Sequence, residues 1–334
     1  VILACLACLT WSCSLKRDST GTEAVERGRI DFLEFDSPAL KDNALSDNPR
    51  RRVAVYLPPR YGREPGKRYP TVYFLAGFNE TEEPYLNGVY FNMAKDMDGL
   101  IASRAIRPMI VVVASGKNSF LGSFYADSLL TGNWETFICR DLVAEVDAAY
   151  LSLADRRSRG LAGFSMGGLG ALHISMHNPA VFSAVFALSP MAMAPGDIEE
   201  ALRSWKVFGL PMLRQAYVAA FAPALLGGYP FSPPTGPEAG PWAAELWERG
   251  LGQWDRKASK YAENLRYLRA IRIEAGNRDE FAWLPRGARY AAAAIESAGA
   301  VCEFASFQGT HESHVSSRMR SSLFPFFNRI LDFD

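Results

Sequence analysis

The chain has 334 residues, 49% of them hydrophobic and 22% charged, which excludes a disordered polymer and suits a compact globular body. Lys and Arg total 36, as do Asp and Glu, so the formal net charge is zero and sequence-independent nucleic-acid binding lacks the cations it needs. Five cysteines in a chain of this length are too few for a disulfide scaffold.

The first element is an apolar run over residues 1–13, VILACLACLTWSC, followed shortly by Lys16 and Arg17. It is shorter than the roughly 20 residues that span a bilayer. Residues 1–17 therefore read as a secretory signal, and the expected location is the cell envelope or beyond it. Ile2-Leu3-Ala4-Cys5 resembles a bacterial lipoprotein cleavage box, which would put a lipid, and so a membrane tether, on Cys5. Cys8 and Cys13 are lesser candidates, and an ordinary signal peptide fits as well. Cys139 and Cys302 are read as small apolar residues in the body, not as a bridge.

From residue 28 onward one domain is expected, running to residue 334. Residues 30–35 (IDFLEF) alternate apolar and polar, as a half-buried strand does. Residues 52–57 form a second strand, stopped by Pro58-Pro59. Residues 71–75 (TVYFL) and 109–114 (MIVVVA) are continuous apolar runs, the pattern of strands buried at the centre of a parallel sheet. Further strands are read at 159–164, 184–188, 271–275 and 301–307, eight in all. Helices are read at 91–105, 134–151, 167–177, 285–298 and 317–331. This alternation predicts a mostly parallel, doubly wound eight-stranded sheet with helices on both faces.

Residues 194–264 break the rhythm. They hold no clear strand, a Gly- and Pro-rich turn around 227–234, and Trp242, Trp247 and Trp254. An insertion of this length between sheet strands predicts a helical lid or binding wall.

Gly163-Phe164-Ser165-Met166-Gly167 fits the G-x-S-x-G nucleophile elbow, with a strand-like segment before it and a helix-like one after. The helix that follows points its free N–H groups at the serine, where negative charge would develop. A serine hydroxyl needs a base. Of the four histidines, His173 and His177 lie on the helix that starts at Ser165. At ~1.5 Å per residue even His173 stands ~12 Å along that axis, out of reach. His311 and His314 remain, both after the last strand; His311, following Gly309-Thr310, is preferred. The orienting acid should fall between serine and histidine in the chain. Asp279 is preferred over Glu280, because adjacent side chains alternate and only one can face the site. Two backbone N–H groups are expected to hold the oxyanion, those of Met166 and of Phe78 in Ala76-Gly77-Phe78-Asn79.

Several stretches carry a family resemblance: Tyr73 to Phe78, Thr131-Gly132-Asn133-Trp134-Glu135, Ser158 to Leu172, Ala187-Leu188-Ser189-Pro190, Gly276 to Phe281, and Gly309-Thr310-His311. On these the chain resembles the putative-esterase family of α/β-hydrolases, with S-formylglutathione hydrolases, feruloyl and acetyl xylan esterases and antigen 85 mycolyltransferases. The resemblance implies the α/β-hydrolase fold. It implies Ser165, Asp279 and His311 as nucleophile, acid and base, Phe78 and Met166 as oxyanion donors, and no metal or organic cofactor. Where the family often has His-Gly or Ser-Gly, this chain has Ala76-Gly77, which keeps the backbone donor and loses any side-chain role. The insertion matches nothing in the family.

The expected function is therefore a serine carboxylic ester hydrolase acting through an acyl-enzyme on a small-molecule, carbohydrate or lipid ester. The alternatives are an acyltransferase that passes the acyl group to a sugar or lipid hydroxyl, and a non-catalytic binding protein on the same fold.

Overall fold

The computed structural model describes residues 26–222 and 248–334, with 225–226, 229–230 and 245 between them. The readings of residues 1–17, Trp242 and Trp247, and most of the turn around 227–234, lie outside the described residues.

The apolar runs become the strands β1 (Arg29–Asp36), β2 (Arg50–Leu57), β3 (Thr71–Leu75), β4 (Ile110–Ala114), β5 (Arg159–Phe164), β6 (Ala184–Leu188), β7 (Ala270–Gly276) and β8 (Cys302–Phe307). They form one sheet in the order β1-β2-β4-β3-β5-β6-β7-β8. β1 and β2 pair antiparallel, as do β2 and β4; all later pairings are parallel. Side chains alternate between two apolar layers: Tyr73, Leu75, Val112 and Leu161 enter one, and Val72, Phe74, Val113 and Phe164 the other. A sheet apolar on both faces must be covered on both.

The helices do this. α1 (Met93–Ala102) and the closing helical stretch bury Met93, Met97, Phe324 and Phe327 against one face. On the other lie α2 (Val143–Ala149), α3 (Met166–His177) and, from later in the chain, Trp205, Trp254 and Ala288. α3 is buried from Met166 to Met176, the behaviour of a helix apolar on all sides. The stretch read as a helix over 134–151 begins at Trp134–Thr136 and passes through a π-helical Phe137–Leu142 before α2. The last helix is likewise interrupted by a π-helical Met319–Leu323.

Within the insertion run α4 (Ile198–Val207), α5 (Pro211–Phe221) and α6 (Trp254–Lys260), and α7 (Ala262–Tyr267) crosses its end. The expectation of no strand there is corrected: Leu225–Leu226 and Tyr229–Pro230 pair antiparallel. Two residues per strand are too short to show a period-2 pattern. A second short pair, Asp127–Ser128 with Gly132–Asn133, was unreadable for the same reason. After the insertion α8 (Trp283–Ser297) links β7 to β8. Cys139 and Cys302 are free thiols, both partly buried, and burial pushes each up to about 12.

In the parallel part, Leu75 pairs with Gly163, Phe164 with Leu188, Leu188 with Glu274, and Gly276 with Phe307. The chain therefore leaves β3, β5, β6, β7 and β8 along one edge. The segments holding Phe78, Ser165, Asp279 and His311 all begin there, the usual place for a site in such a sheet.

Candidate active site

Ser165 occupies the turn between β5 and α3 with φ 55° and ψ −116°, a conformation a non-glycine residue holds only when its surroundings over-determine it. They do so here. Ser165 N–H donates to Leu188 O at 2.9 Å, and its carbonyl accepts from Leu169 N and Met191 N, both at 3.1 Å. The flanking glycines allow the close approach. A methyl group on Gly167 would lie 2.0 Å from Leu75 O, and one on Gly163 would lie 2.2 Å from the Gly167 carbonyl.

His311 Nε2 stands 3.0 Å from Ser165 Oγ, and Nδ1 stands 2.7 Å from Asp279 Oδ2. An ionised carboxylate only accepts, so Nδ1 carries the ring hydrogen and Nε2 is left to accept from the serine hydroxyl. The other carboxylate oxygen of Asp279 accepts the Phe281 N–H at 2.9 Å, which fixes the acid. The loops after β7 and β8 are joined by Asn277 N–H to Phe307 O and Arg278 N–H to Gly309 O, each 2.9 Å. The imidazole lies between Phe164 and Phe281, with ring centres 4.9 and 5.7 Å away.

Glu280, the competing acid, does not touch the ring. Its carboxylate accepts the backbone N–H of His311 at 3.0 Å. Burial raises its pKa, but the hydrogen bond from His311 N–H and other polar contacts outweigh this and hold it below the ordinary glutamate value. His314 is exposed, beside Ser317 and Phe307. His173 is buried against Trp254, with Lys257 Nζ at 3.1 Å, and His177 pairs with Glu135 at 2.9 Å. None of these three is hydrogen-bonded to Ser165.

On the opposite side of the serine lies the loop after β3. Ala76 N–H donates to Ala114 O at 3.0 Å, Gly77 N–H to Glu80 Oε2 at 2.6 Å, Asn79 N–H to Leu121 O at 2.8 Å and Glu80 N–H to Gly77 O at 3.4 Å. Among the described residues, Phe78 N–H in that loop and Met166 N–H at the start of α3 find no acceptor. The Phe78 and Met166 side chains converge on Gly122, where an added methyl group would lie 2.6 Å from one and 2.7 Å from the other. Two free donors beside a serine suit a developing oxyanion.

Ser165 opens into a cavity of about 170 Å³. Its walls are apolar: Met191, Trp205 from α4, Leu210, Leu213 from α5, Phe281, and Trp283 and Leu284 from α8. Glu80 and Glu312 also line it, with Phe78 and His311. The wall residues and Glu80 escaped the sequence reading, since nothing local to 205–213 says which helix face meets the serine. The motif at 76–79 ended one residue short of Glu80. Among the described residues no three His, Cys, Asp or Glu side chains converge as a metal site.

A sequence model of the family described as Putative esterase matches residues 46–320. An endo-1,4-beta-xylanase/feruloyl esterase of Xylanibacter ruminicola is 34% identical over 154 residues, 44% of this chain and 20% of that one. An esterase of Mycobacterium tuberculosis is 28% identical over 225 residues, 62% of this chain and 46% of its own. The matched region thus spans less than half of either relative. A solved ferulic acid esterase superposes with a TM-score of 0.65 at 22% identity, covering 92% of this chain and all of that one, a likeness of fold. With the match running from before β3 to beyond His311, the chain belongs to this esterase family.

Proposed function

We propose that this protein hydrolyses carboxylic esters through an acyl-enzyme on Ser165. The observation that carries the reading is the line from Ser165 Oγ to His311 Nε2 at 3.0 Å and from Nδ1 to Asp279 Oδ2 at 2.7 Å. His311 takes the hydroxyl proton as Oγ attacks the ester carbonyl, and Asp279 holds the resulting imidazolium in place. The N–H groups of Phe78 and Met166 receive the oxyanion. The proton on Nε2 then passes to the leaving alcohol. Water, deprotonated by the same ring, attacks the acyl carbonyl and frees Ser165.

The walls of Trp205, Leu210 and Leu213 from the insertion, with Trp283 of α8, fit the acyl half of the substrate, so the insertion acts as a binding wall. An apolar cavity of about 170 Å³ with aromatic walls suits a short or single-ring acyl group, and offset or edge-on ring contacts would hold an arylacyl ester. The relatives named feruloyl and ferulic acid esterases favour the same substrate class.

The test is covalent labelling with a fluorophosphonate together with hydrolysis of p-nitrophenyl and feruloyl esters of graded acyl size. The wild type should be labelled and active, and Ser165→Ala should be neither. An unlabelled, inactive wild type would leave a binding protein as the better reading. Added alcohols that divert the acyl group without loss of total turnover would make it a transferase.

A further inference from the structure

We infer that Glu80 is a positioning residue for the oxyanion hole, holding the Gly77 peptide so that the Phe78 N–H faces Ser165. The inference rests on the esterase reading above. Glu80 grips Gly77 from both sides. Its carboxylate oxygen Oε2 accepts Gly77 N–H at 2.6 Å, and its own N–H donates to Gly77 O at 3.4 Å. In a trans peptide the carbonyl and the following N–H point in opposite directions. Fixing Gly77 O toward Glu80 therefore turns the Phe78 N–H the other way. Every other N–H from Ala76 to Glu80 is used inside the protein, and Phe78 alone is left free.

Glu80 is itself anchored. Tyr85, fully buried against Phe74, donates its hydroxyl to the same Oε2 at 2.5 Å. Ser115 Oγ, just past the end of β4, donates to Glu80 O at 2.6 Å. Glu80 is thus held at both its side chain and its backbone carbonyl. Gly77 carries the complementary mark: a methyl group there would lie 2.8–2.9 Å from the Glu80 carboxylate. The carboxylate covers the space that only glycine leaves open. Burial pushes the Glu80 carboxyl up, against the pull of the Tyr85 and Gly77 donors. Both donors need only an acceptor oxygen, which an amide also supplies.

The experiment compares Glu80→Ala, Glu80→Gln, Gly77→Ala and the double variant Gly77→Ala/Glu80→Ala. Three quantities are read: kcat and KM on a p-nitrophenyl ester, inhibition by a phenylboronic acid that forms a tetrahedral adduct on serine, and Tm. Losing one oxyanion donor outright costs ~10²–10³ in kcat, so a misdirected donor should cost ~10–10². Glu80→Ala should show that loss in kcat and a matching loss of boronate affinity, with KM within about threefold, because ground-state binding does not use the oxyanion donors. Glu80→Gln should recover most of both. Gly77→Ala displaces the carboxylate and should resemble Glu80→Ala, and the double variant should be no worse than the poorer single.

Wild-type boronate affinity in a folded Glu80→Ala or Gly77→Ala variant would overturn the inference. So would a loss confined to Tm, or strictly additive losses in the double. Should Glu80→Ala not fold, Gly77→Ala and Glu80→Gln still decide. A wild type inactive on all esters would instead remove the esterase reading itself.

Discussion

Asp279 and His311 meet across the seam between the loops that leave β7 and β8, Oδ2 to Nδ1 at 2.7 Å, with the acid side chain fully buried. The contact fixes which ring nitrogen carries hydrogen. Asp279→Asn leaves an amide that can donate to Nδ1 and so favours the wrong tautomer, with the hydrogen on Nε2. By analogy with the serine-protease case, kcat on a p-nitrophenyl ester should fall by roughly 10³–10⁴. KM should change little, since the acid lies behind the histidine. A variant within tenfold of wild type would show that Asp279 does not set the ring.

Glu280 invites confusion with its neighbour, yet it acts on the backbone. It accepts His311 N–H at 3.0 Å, so it holds the loop and leaves the ring to Asp279. Glu280→Gln keeps an acceptor oxygen and should retain kcat within about threefold. Glu280→Ala leaves that N–H without its acceptor and should lower stability by about 1 kcal/mol. The check is to measure both variants beside Asp279→Asn. A loss in Glu280→Gln equal to that of Asp279→Asn would exchange the two roles.

The sheet could be read from sequence because its central strands are continuous apolar runs with few other places to go. Ser165 could be read because the elbow needs glycine on both sides, and Leu75 O stands where a Gly167 side chain would be. The helix rise leaves His311 and His314 as bases, and the order of serine, acid and histidine leaves the neighbours Asp279 and Glu280 as acids. Choosing Asp279 over Glu280 then depended on which carboxylate turns toward the ring, a matter of loop conformation with no periodic signal. Trp205, Leu213 and Trp283 converge from three separate helices, and only tertiary packing brings them to one cavity. The π-helical turns and two-residue strands leave too short a pattern to be seen.

The proposed acyl wall can be tested separately. Leu213 is buried at the cavity, so Leu213→Ala enlarges it. It should cost about 2–5 kcal/mol of stability, as buried leucine truncations do. The extra space should also shift the preferred p-nitrophenyl ester toward longer acyl chains. The measured quantity is the ratio of kcat/KM for a long chain to that for a short one, which should rise by roughly tenfold or more per added methylene accommodated. An unchanged ratio would move the acyl group to another surface.

The elbow can be tested without touching any reacting atom. Gly167→Ala would put a methyl group 2.0 Å from Leu75 O, a backbone atom that cannot swing aside. Such overpacking costs typically 1–3 kcal/mol or more. The variant should lose Tm and, by shifting the Met166 N–H that follows Ser165, lose fluorophosphonate labelling rate as well. Wild-type Tm in this variant would mean that β3 and α3 are farther apart than described.

Far from the serine, Lys257 and His173 each add a pH-dependent contribution to stability. Lys257 Nζ donates to Gly250 O at 2.6 Å and lies 3.1 Å from His173 Nε2, and no carboxylate pairs with it among the ion pairs of the described residues. Burial pushes Lys257 down to about 7, and burial, Lys257 and His177 together hold His173 well below the usual histidine range. The unfolded chain binds a proton on lysine up to ~10.4 and on histidine up to ~6.5. Between about pH 7 and ~10.4 the unfolded state therefore holds more protons at residue 257 than the folded state, so this residue's contribution to stability rises with pH there. The same sign applies at His173 below ~6.5, where falling pH favours the unfolded chain. Lys257→Met removes the first slope. Its Tm relative to wild type should be highest at or below pH 7 and decline toward pH 10. His173→Phe keeps a ring against Trp254 and should flatten the fall in Tm between pH 6.5 and 5. Parallel curves of Tm against pH for wild type and both variants would show that neither group is held in its neutral form by the fold.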